Sequence, residues 1–460
     1  MVNIKIAYIG GGSMAWARTF MTDLAREPLL GGEICLYDID CEAAKRNEII
    51  GNRITADARA VGKWRYTTVS AIGEALTGAD IVVISILPGD FEHMRSDVHL
   101  PERLSVYQSV GDTTGPGGII RALRTIPLFV GFAKQIKKYS PGAWVINYTN
   151  PMAVCVRALY EAFPEIKSFG CCHEVFGTQA LLAAMLKRDR GETADRSDIH
   201  VNVLGLNHFT WFDRATWGEH DLVSLFARYS DEFYESGLSA GYDPGLDPVF
   251  HCSNRVKFDL FRKYGYIAAA GDRHLAEFMP GEIYLKNRET AENWGFTLTS
   301  VDWRISDREK KVKHTARLVS GEEEIVLKPS GEEGILLIKA LVGLGEVVSN
   351  VNLPNTAGQI KNLPKDTVVE TNAHFSKDNV RPVMAGSLPD AIYDLFTPHI
   401  ENQKEVMRAA LDCDFNAVLR AFERDPLLRG KCSDGELYLL AEDMIRNTQD
   451  ILPNTWREVV

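Results

Sequence analysis

The 460-residue sequence has no uninterrupted apolar run of the ~18 residues that a membrane-spanning helix needs. It has no internal repeat and no low-complexity linker. It is also short of positive charge: 51 Lys and Arg against 62 Asp and Glu leave a net charge of −11. That balance argues against nucleic acid or an anionic membrane as partner, and an anionic small molecule would have to be drawn in by local charge. Cysteine is sparse and unpatterned, eight residues scattered without framework spacing, which argues against a disulfide-stapled scaffold and for reduced thiols in a cytoplasmic protein. Residues Met1 to Gly10 carry no basic stretch ahead of a long apolar core, so no signal peptide is expected. What remains is ordinary for a soluble globular chain, 45% apolar and 25% charged, long enough for two or three domains.

The N-terminal stretch has a definite grammar. Ile4 to Ile9 reads as a short strand, Gly10-Gly11-Gly12-Ser13 as a tight turn, and Met14 to Leu24 as a helix. Strand, glycine turn and helix in that order make a dinucleotide cradle: Gly10 permits the turn, and Gly12 lets backbone N–H groups approach a pyrophosphate. Ala15 stands where the fingerprint has its third glycine, and a plain strand-to-helix turn is the competing reading. A second strand, Glu33 to Tyr37, ends at Asp38, an acid placed to bind a ribose 2′-hydroxyl and so to favour NAD over NADP. A solvated strand-end acid is the alternative for Asp38.

Two near-continuous apolar runs, Ala79–Leu87 and Ala143–Tyr148, fit strands buried on both faces of a parallel sheet. Between them the glycine-rich loop Val110–Gly118 opens into a helix over Ile119–Lys138, which makes Asp112 a functional candidate or, more plainly, a turn-capping acid. Asn150 precedes Pro151, is biased to extended backbone, and can turn its amide into a ligand site.

Further on, a hydrophobic lead from Ile166 to Phe169 runs into Cys171-Cys172-His173-Glu174-Val175-Phe176-Gly177, followed by a helical pattern. A cysteine at a helix N-terminus is disposed toward the thiolate, and a thiolate beside an imidazole is half of a metal site. Buried apolar cysteines with a helix-start histidine are the plainer account. Residues Ile199–Trp211 alternate like a strand, with a bend over Gly205–His208 that presents His208. Asp272 follows a run of small residues and precedes Arg273 and His274, so it can be a strand-end base with two cations beside it for an anionic ligand. An exposed Asp–Arg pair of little energetic weight is the alternative.

Taken together, the glycine turn, Asp38, Gly111-Asp112-Thr113, Gly115-Pro116-Gly117-Gly118, Arg121 to Pro127, Asn147 to Pro151, Cys172-His173-Glu174-Val175 and Gly205 to His208 resemble glycoside hydrolase family 4, the NAD- and metal-dependent glycosidases. The Cys-His-Glu-Val tetrad with Ala270 to Phe278 looks like the uronide-cleaving branch, with bacterial α-galacturonidases the nearest likeness and α-glucuronidases next. The resemblance implies NAD on Gly10, Gly11, Gly12, Ser13, Asp38 and Asn150. It implies a divalent metal, usually Mn²⁺ with others allowed, on Cys172 and His208. The donor types by themselves would suggest zinc or iron, since a thiolate is soft for manganese, but two protein ligands leave positions open for sugar hydroxyls.

The same resemblance implies an oxidation–elimination route. Hydride leaves C3 to the nicotinamide, the C2 proton becomes acidic, a base removes it, the aglycone departs, water adds and the hydride returns. Asp272 matches the base, Asp112 is the candidate proton donor, and His173 is placed with the catalytic group. Asn150, Glu174, Asn207, Arg273 and His274 are the expected substrate contacts, with Arg273 and His274 facing a uronate carboxylate. The paired-carboxylate scheme by which most glycosidases work does not describe this family.

The expected architecture is α/β: a Rossmann-type doubly wound parallel sheet in residues 1–198 that binds NAD, and an α+β part, residues 199–460, for substrate and oligomerisation. Residues 291–334 read as a charged helix-and-loop excursion, and residues 385–452 as mostly amphipathic helix. A small-molecule uronide oligosaccharide, no nucleic acid, no membrane and a homo-oligomer, dimer or tetramer, complete the expectation. Two other classes stay open: a net NAD-dependent hydroxy-acid dehydrogenase, and a nucleotide-binding redox sensor built on Cys171 and Cys172.

Overall fold

The computed structural model describes residues 1–240 and 247–459. Its strands, in chain order, are β1 (Val2–Ile9), β2 (Leu30–Tyr37), β3 (Lys63–Val69), β4 (Ile81–Ile84), β5 (Trp144–Asn147), β6 (Lys167–Gly170), β7 (His200–Leu206), β8 (Phe209–Trp217), β9 (His220–Asp221), β10 (Ile267–Ala268), β11 (Val347–Pro354), β12 (Val368–Ser376) and β13 (Asn379–Pro382). Nine of them form one sheet in the order β13-β12-β11-β6-β5-β4-β1-β2-β3. The six from β1 to β6 are parallel and run 3-2-1-4-5-6, the doubly wound nucleotide-binding order. The other three are antiparallel, joined to the rest through Asn352 opposite Gly170. The sheet therefore continues across the boundary expected near residue 198.

The apolar runs behave as two-faced strands should. In β4, Val82 and Ile84 pack into one core cluster while Ile81 and Val83 pack into the cluster on the opposite face. Burial on both sides leaves no room for polar alternation, which is why the run reads as continuous. Helices Gly115–Tyr139 and Met152–Ala162 cover the first face together with Asp390–Asp412. Helices Trp16–Ala25 and Gly334–Leu341 cover the second.

A smaller sheet of β7, β8, β9 and β10 stands beside the first. The expected strand over Ile199–Trp211 is a hairpin: β7 and β8 pair antiparallel, and the chain reverses at Asn207-His208, where His208 takes a left-handed φ of 63°. The charged stretch between 291 and 334 holds the helix Val301–Ser320. No helix among the described residues is long and apolar enough to cross a membrane.

Candidate active site

The glycine turn leaves β1 at the carboxyl edge of the parallel strands. Gly10 has φ +93°, and a Cβ there would lie 2.0 Å from the Ser85 carbonyl oxygen. A Cβ on Gly12 would lie 2.9 Å from Asp38 Oδ2. Asp38 is turned onto this backbone: Oδ2 accepts the Gly12 N–H at 2.8 Å and Oδ1 accepts the Asp40 N–H at 2.9 Å. Each oxygen keeps a lone pair for a ribose hydroxyl. Ser13 closes the turn with its N–H on Gly10 O at 3.1 Å. The whole loop is pinned by Asn47, a fully buried residue of helix Cys41–Ala56. Its amide donates to Gly11 O at 2.7 Å and Ser13 O at 2.8 Å and accepts from Arg18 Nε at 3.0 Å. These bare, backbone-lined glycines fit a pyrophosphate.

Across the carboxyl edge lies a polar chamber. Asp112, from the loop before helix Gly115–Tyr139, His208, from the hairpin turn, and His274, from the short helix Asp272–Glu277, bring ligand atoms within 4.8 Å of one another. The two imidazoles stack, with centroids 3.7 Å apart. Thr113 Oγ1 donates to Asp112 Oδ1 at 2.7 Å and sits 2.8 Å from His208 Nδ1. With its one hydrogen committed, the hydroxyl must accept from Nδ1–H, which leaves Nε2 with its lone pair free. Burial, reinforced by His274, lowers the His208 pKa to about 3, so the ring is neutral and able to ligate. Burial opposes charge on Asp112, but His274, His208 and Arg121 outweigh it and hold the carboxyl below the usual range. Asp112 is thus an ionised acceptor in this chamber, and Asn150 Nδ2 donates to its Oδ2 at 3.3 Å.

Glu174 opens helix Glu174–Arg190, accepts the Gly271 N–H at 2.7 Å, and lies 3.7 Å from His274 Nε2. Burial opposes its charge, yet His274 and His208 bring its pKa to about 2. Three buried atoms, Asn150 Oδ1, Asn207 Oδ1 and His274 Nδ1, have no hydrogen-bond partner among the described residues. Orphaned polar atoms around oxygen and imidazole donors suit a hard divalent cation such as Mn²⁺.

Other expected residues are placed differently. Cys172 follows β6 outside the Asp112–His208–His274 cluster. The Glu174 N–H and the Asn207 side chain do favour its thiolate, but burial and then the Glu370 and Glu174 carboxylates push the thiol well above its ordinary value. The helix terminus alone therefore does not make it a thiolate. Asp272 is not a strand-end residue. It is fully buried, and its oxygens accept the N–H groups of Val256 at 3.2 Å and Lys257 at 3.3 Å, capping helix Arg255–Tyr264, with Lys257 Nζ at 3.7 Å. That geometry does not carry the expected base role. His173 lies at the rim, its ring 5.6 Å from Trp16 and its Nδ1 3.3 Å from Glu332. Arg273 donates to Ser109 O at 3.1 Å and lies over the Phe250 ring. His274 joins the cation cluster instead of standing free for a carboxylate.

Comparison with known proteins decides the lineage. Residues 5–188 match Family 4 glycosyl hydrolase and residues 203–428 match the Family 4 glycosyl hydrolase C-terminal domain. The chain belongs to glycosyl hydrolase family 4. Within it, the chain is 58% identical to the alpha-galacturonidase of Lachnoclostridium phytofermentans over 99% of this chain and 98% of that one. It superposes on the crystal structure of the Bacillus subtilis protein lplD at TM-score 0.91 with 50% identity, covering 96% of this chain and 99% of that one. The fold also matches a 6-phospho-alpha-glucosidase from gut microorganisms in complex with NAD and Mn²⁺, TM-score 0.82 and 18% identity over 98% of this chain and 99% of that one.

Several residues of this family 4 site were not singled out from the sequence. Asn47 has no motif around it. Thr113 sets the His208 tautomer. Glu277 accepts the N–H groups of Val110 at 2.7 Å and Gly111 at 2.9 Å and so holds the Asp112 loop, with burial raising its pKa to about 7. Arg121 and Arg304 join Arg273 around Asp112, whose charge acts on all three. The Nε of each is buried without a hydrogen-bond partner among the described residues. Thr113, Arg121 and Glu277 lay inside stretches that resemble the family, but nothing local marked their roles.

Proposed function

We propose that this family 4 enzyme is an α-galacturonidase, releasing terminal α-linked galacturonic acid from oligogalacturonides. Full-length similarity at 58% identity to an alpha-galacturonidase supports the substrate. The observation that carries it in the chamber is the set of Arg121, Arg273 and Arg304 around Asp112, each with a buried Nε that has no hydrogen-bond partner among the described residues, in a protein of net charge −11. A guanidinium N–H with no partner is a donor for a carboxylate, which a neutral glycoside does not supply.

Residues 1–198 supply the nucleotide cradle, and both parts build the chamber, Asp112, Asn150 and Glu174 from the first and His208, Arg273 and His274 from the second. NAD, when bound, supplies reversible hydride removal at C3. A divalent metal, when bound, supplies Lewis acidity for the neighbouring hydroxyl and carbonyl oxygens. The backbone of Gly10 to Ser13 would hold the pyrophosphate and Asp38 the ribose. Cys172 and His208 would hold the metal, with Asp112 and His274 close enough to share it. Asn150 and Glu174 orient sugar hydroxyls. Asp112, ionised as the chain stands, must first take up the proton that it then delivers to the leaving oxygen. Eight cysteines scattered without framework spacing support a cytoplasmic setting.

The test compares digalacturonate, an aldobiouronate and a neutral α-galactoside, with NAD and Mn²⁺ under reducing conditions. Arg304→Gln and Arg273→Gln are each expected to raise KM for digalacturonate ~10-fold or more while moving the neutral substrate little. Release from the neutral glycoside alone refutes the reading, as does NADH accumulating in proportion to substrate. Preferred cleavage of the aldobiouronate would make it a glucuronidase.

A further inference from the structure

Behind the chamber, β12 carries Glu370, which is 1% exposed. Three asparagine amides converge on it. Oε1 accepts from Asn350 Nδ2 at 2.7 Å, and Oε2 accepts from Asn207 Nδ2 and from Asn352 Nδ2, each at 3.1 Å. Two of these amides go further. Asn350 Nδ2 also donates to the backbone carbonyl of Cys172 at 3.1 Å. The Asn207 side chain reaches the Cys172 thiol and sits at the hairpin turn immediately before His208. All three amides donate to the Glu370 oxygens, which sets the end of each amide that faces it. Asn207 must turn its NH₂ group toward Glu370, and its Oδ1 is accordingly the unpartnered atom. With that orientation set, one carboxylate fixes both the residue before His208 and, through Asn350, the Cys172 carbonyl.

We infer that Glu370 is a positioning residue for the metal site: through Asn207 and Asn350 it holds the Cys172 sulfur and the His208 turn in the relative placement that lets both ligate one cation. This rests on the assignment of Cys172 and His208 to the metal, and it extends that assignment to a carboxylate that touches neither ligand side chain itself. Asn352 is the internal contrast, because it bonds Glu370 and the Met152 sulfur, at 3.2 Å, but not Cys172 or its turn. Partners that orient metal ligands typically change affinity ~10–100-fold when removed.

The experiment uses the full chain with NAD. Mn²⁺ affinity is read from the free-ion electron paramagnetic resonance signal, and the Co²⁺-substituted protein is scanned for the thiolate-to-cobalt charge-transfer band in the near ultraviolet. Glu370→Gln keeps size but replaces one acceptor with a donor. It is expected to weaken Mn²⁺ binding ~10–100-fold and to shift or diminish the cobalt band, with NAD affinity unchanged. Asn352→Ala is expected to leave both metal readouts within about twofold of the parent. If Glu370→Gln is not recovered folded, Asn350→Ala carries the test, with a weakening of ~3–10-fold expected. Unchanged Mn²⁺ affinity and cobalt band in Glu370→Gln, or in Asn350→Ala where that variant is used, overturn the inference. So does an equal loss in Asn352→Ala. A parent protein whose Co²⁺ form shows no thiolate band overturns it too, placing the ion on Asp112, His208 and His274 alone. None of these readouts needs a substrate, so an enzyme that binds Mn²⁺ through sulfur yet spares galacturonides sinks only the proposed function.

Discussion

At the glycine turn, the polar partners come from nearby in the chain: Asp38 is 26 residues from Gly12 and Asn47 is 36 residues from Gly11. In the chamber, Thr113 is 95 residues from His208, Asn207 is 163 from Glu370, and Glu277 is 167 from Val110. The turn is lined with backbone N–H and C=O groups, whereas the chamber is lined with acids, imidazoles and guanidiniums that burial and neighbouring charge act upon, as at Asp112, His208 and Arg121. The first region can present a fixed shape to a cofactor with little electrostatic cost. The second holds charge against burial, and its orphaned atoms show where partners outside the chain must complete it. The difference separates a holder from a reactor: one region grips by shape, the other by unsatisfied charge.

The sharpest way to break that division is Asp112→Asn. It leaves the glycine turn untouched and is expected to lower galacturonide release by ~10²–10⁴-fold. NAD affinity, measured by nucleotide fluorescence, should stay near that of the parent. A matching loss of NAD binding would mean that the two regions are one unit.

Acid should loosen the chamber's underside specifically. His399, 5% exposed on helix Asp390–Asp412, lies 3.1 Å from the Phe278 carbonyl and packs against the Phe278 ring, and burial lowers its pKa to about 4. Below the unfolded value of ~6.5 the unfolded chain takes up a proton that the folded chain refuses. Stability is therefore lost as pH falls from ~6.5, and the loss is complete below the folded value. Between pH 7 and pH 5 this one group should cost about 2 kcal/mol. Denaturant titrations at the two pH values check it, and His399→Gln should shrink that difference; an undiminished difference would refute the assignment.

The smallest effect is expected at the turn. Asn47→Ala removes two donors to the loop backbone and should weaken NAD ~10-fold, with a stability loss of about 1–3 kcal/mol. Mn²⁺ affinity should not move. A comparable loss of Mn²⁺ binding would show that the turn's shape propagates into the chamber, contrary to the comparison.

Legibility followed sequence distance. The strand–turn–helix of Ile4 to Leu24, the acid at Asp38 and the two-faced apolar runs of β4 and β5 were readable because each depends on contacts within one local unit. His208 and Asn150 were also readable, as residues at a bend and before a proline, and both reach the chamber. Asp272 misled because the short run before it looks like a strand end, while its carboxylate is consumed by a helix start 16 residues earlier in the chain. Cys172 misled in protonation, since a helix N-terminus is visible locally and the opposing Glu370, 198 positions on, is not. Asn47 and Arg304 left no local trace, and Glu277 and Glu370 stood only inside stretches that resemble the family, because a buried polar residue inside a helix or strand has no period of its own.

From the order of residues alone came the doubly wound parallel sheet, the dinucleotide cradle, the family and the type of chemistry, since these rest on periodicity, glycine spacing and short motifs. Tertiary structure decided which acids are ionised, which imidazole nitrogen is free, and which carboxylates serve the backbone instead of a ligand. The reason is physical: hydrogen-bond partners and burial set a group's charge, and in this molecule several of those partners lie 95 to 167 residues away along the chain.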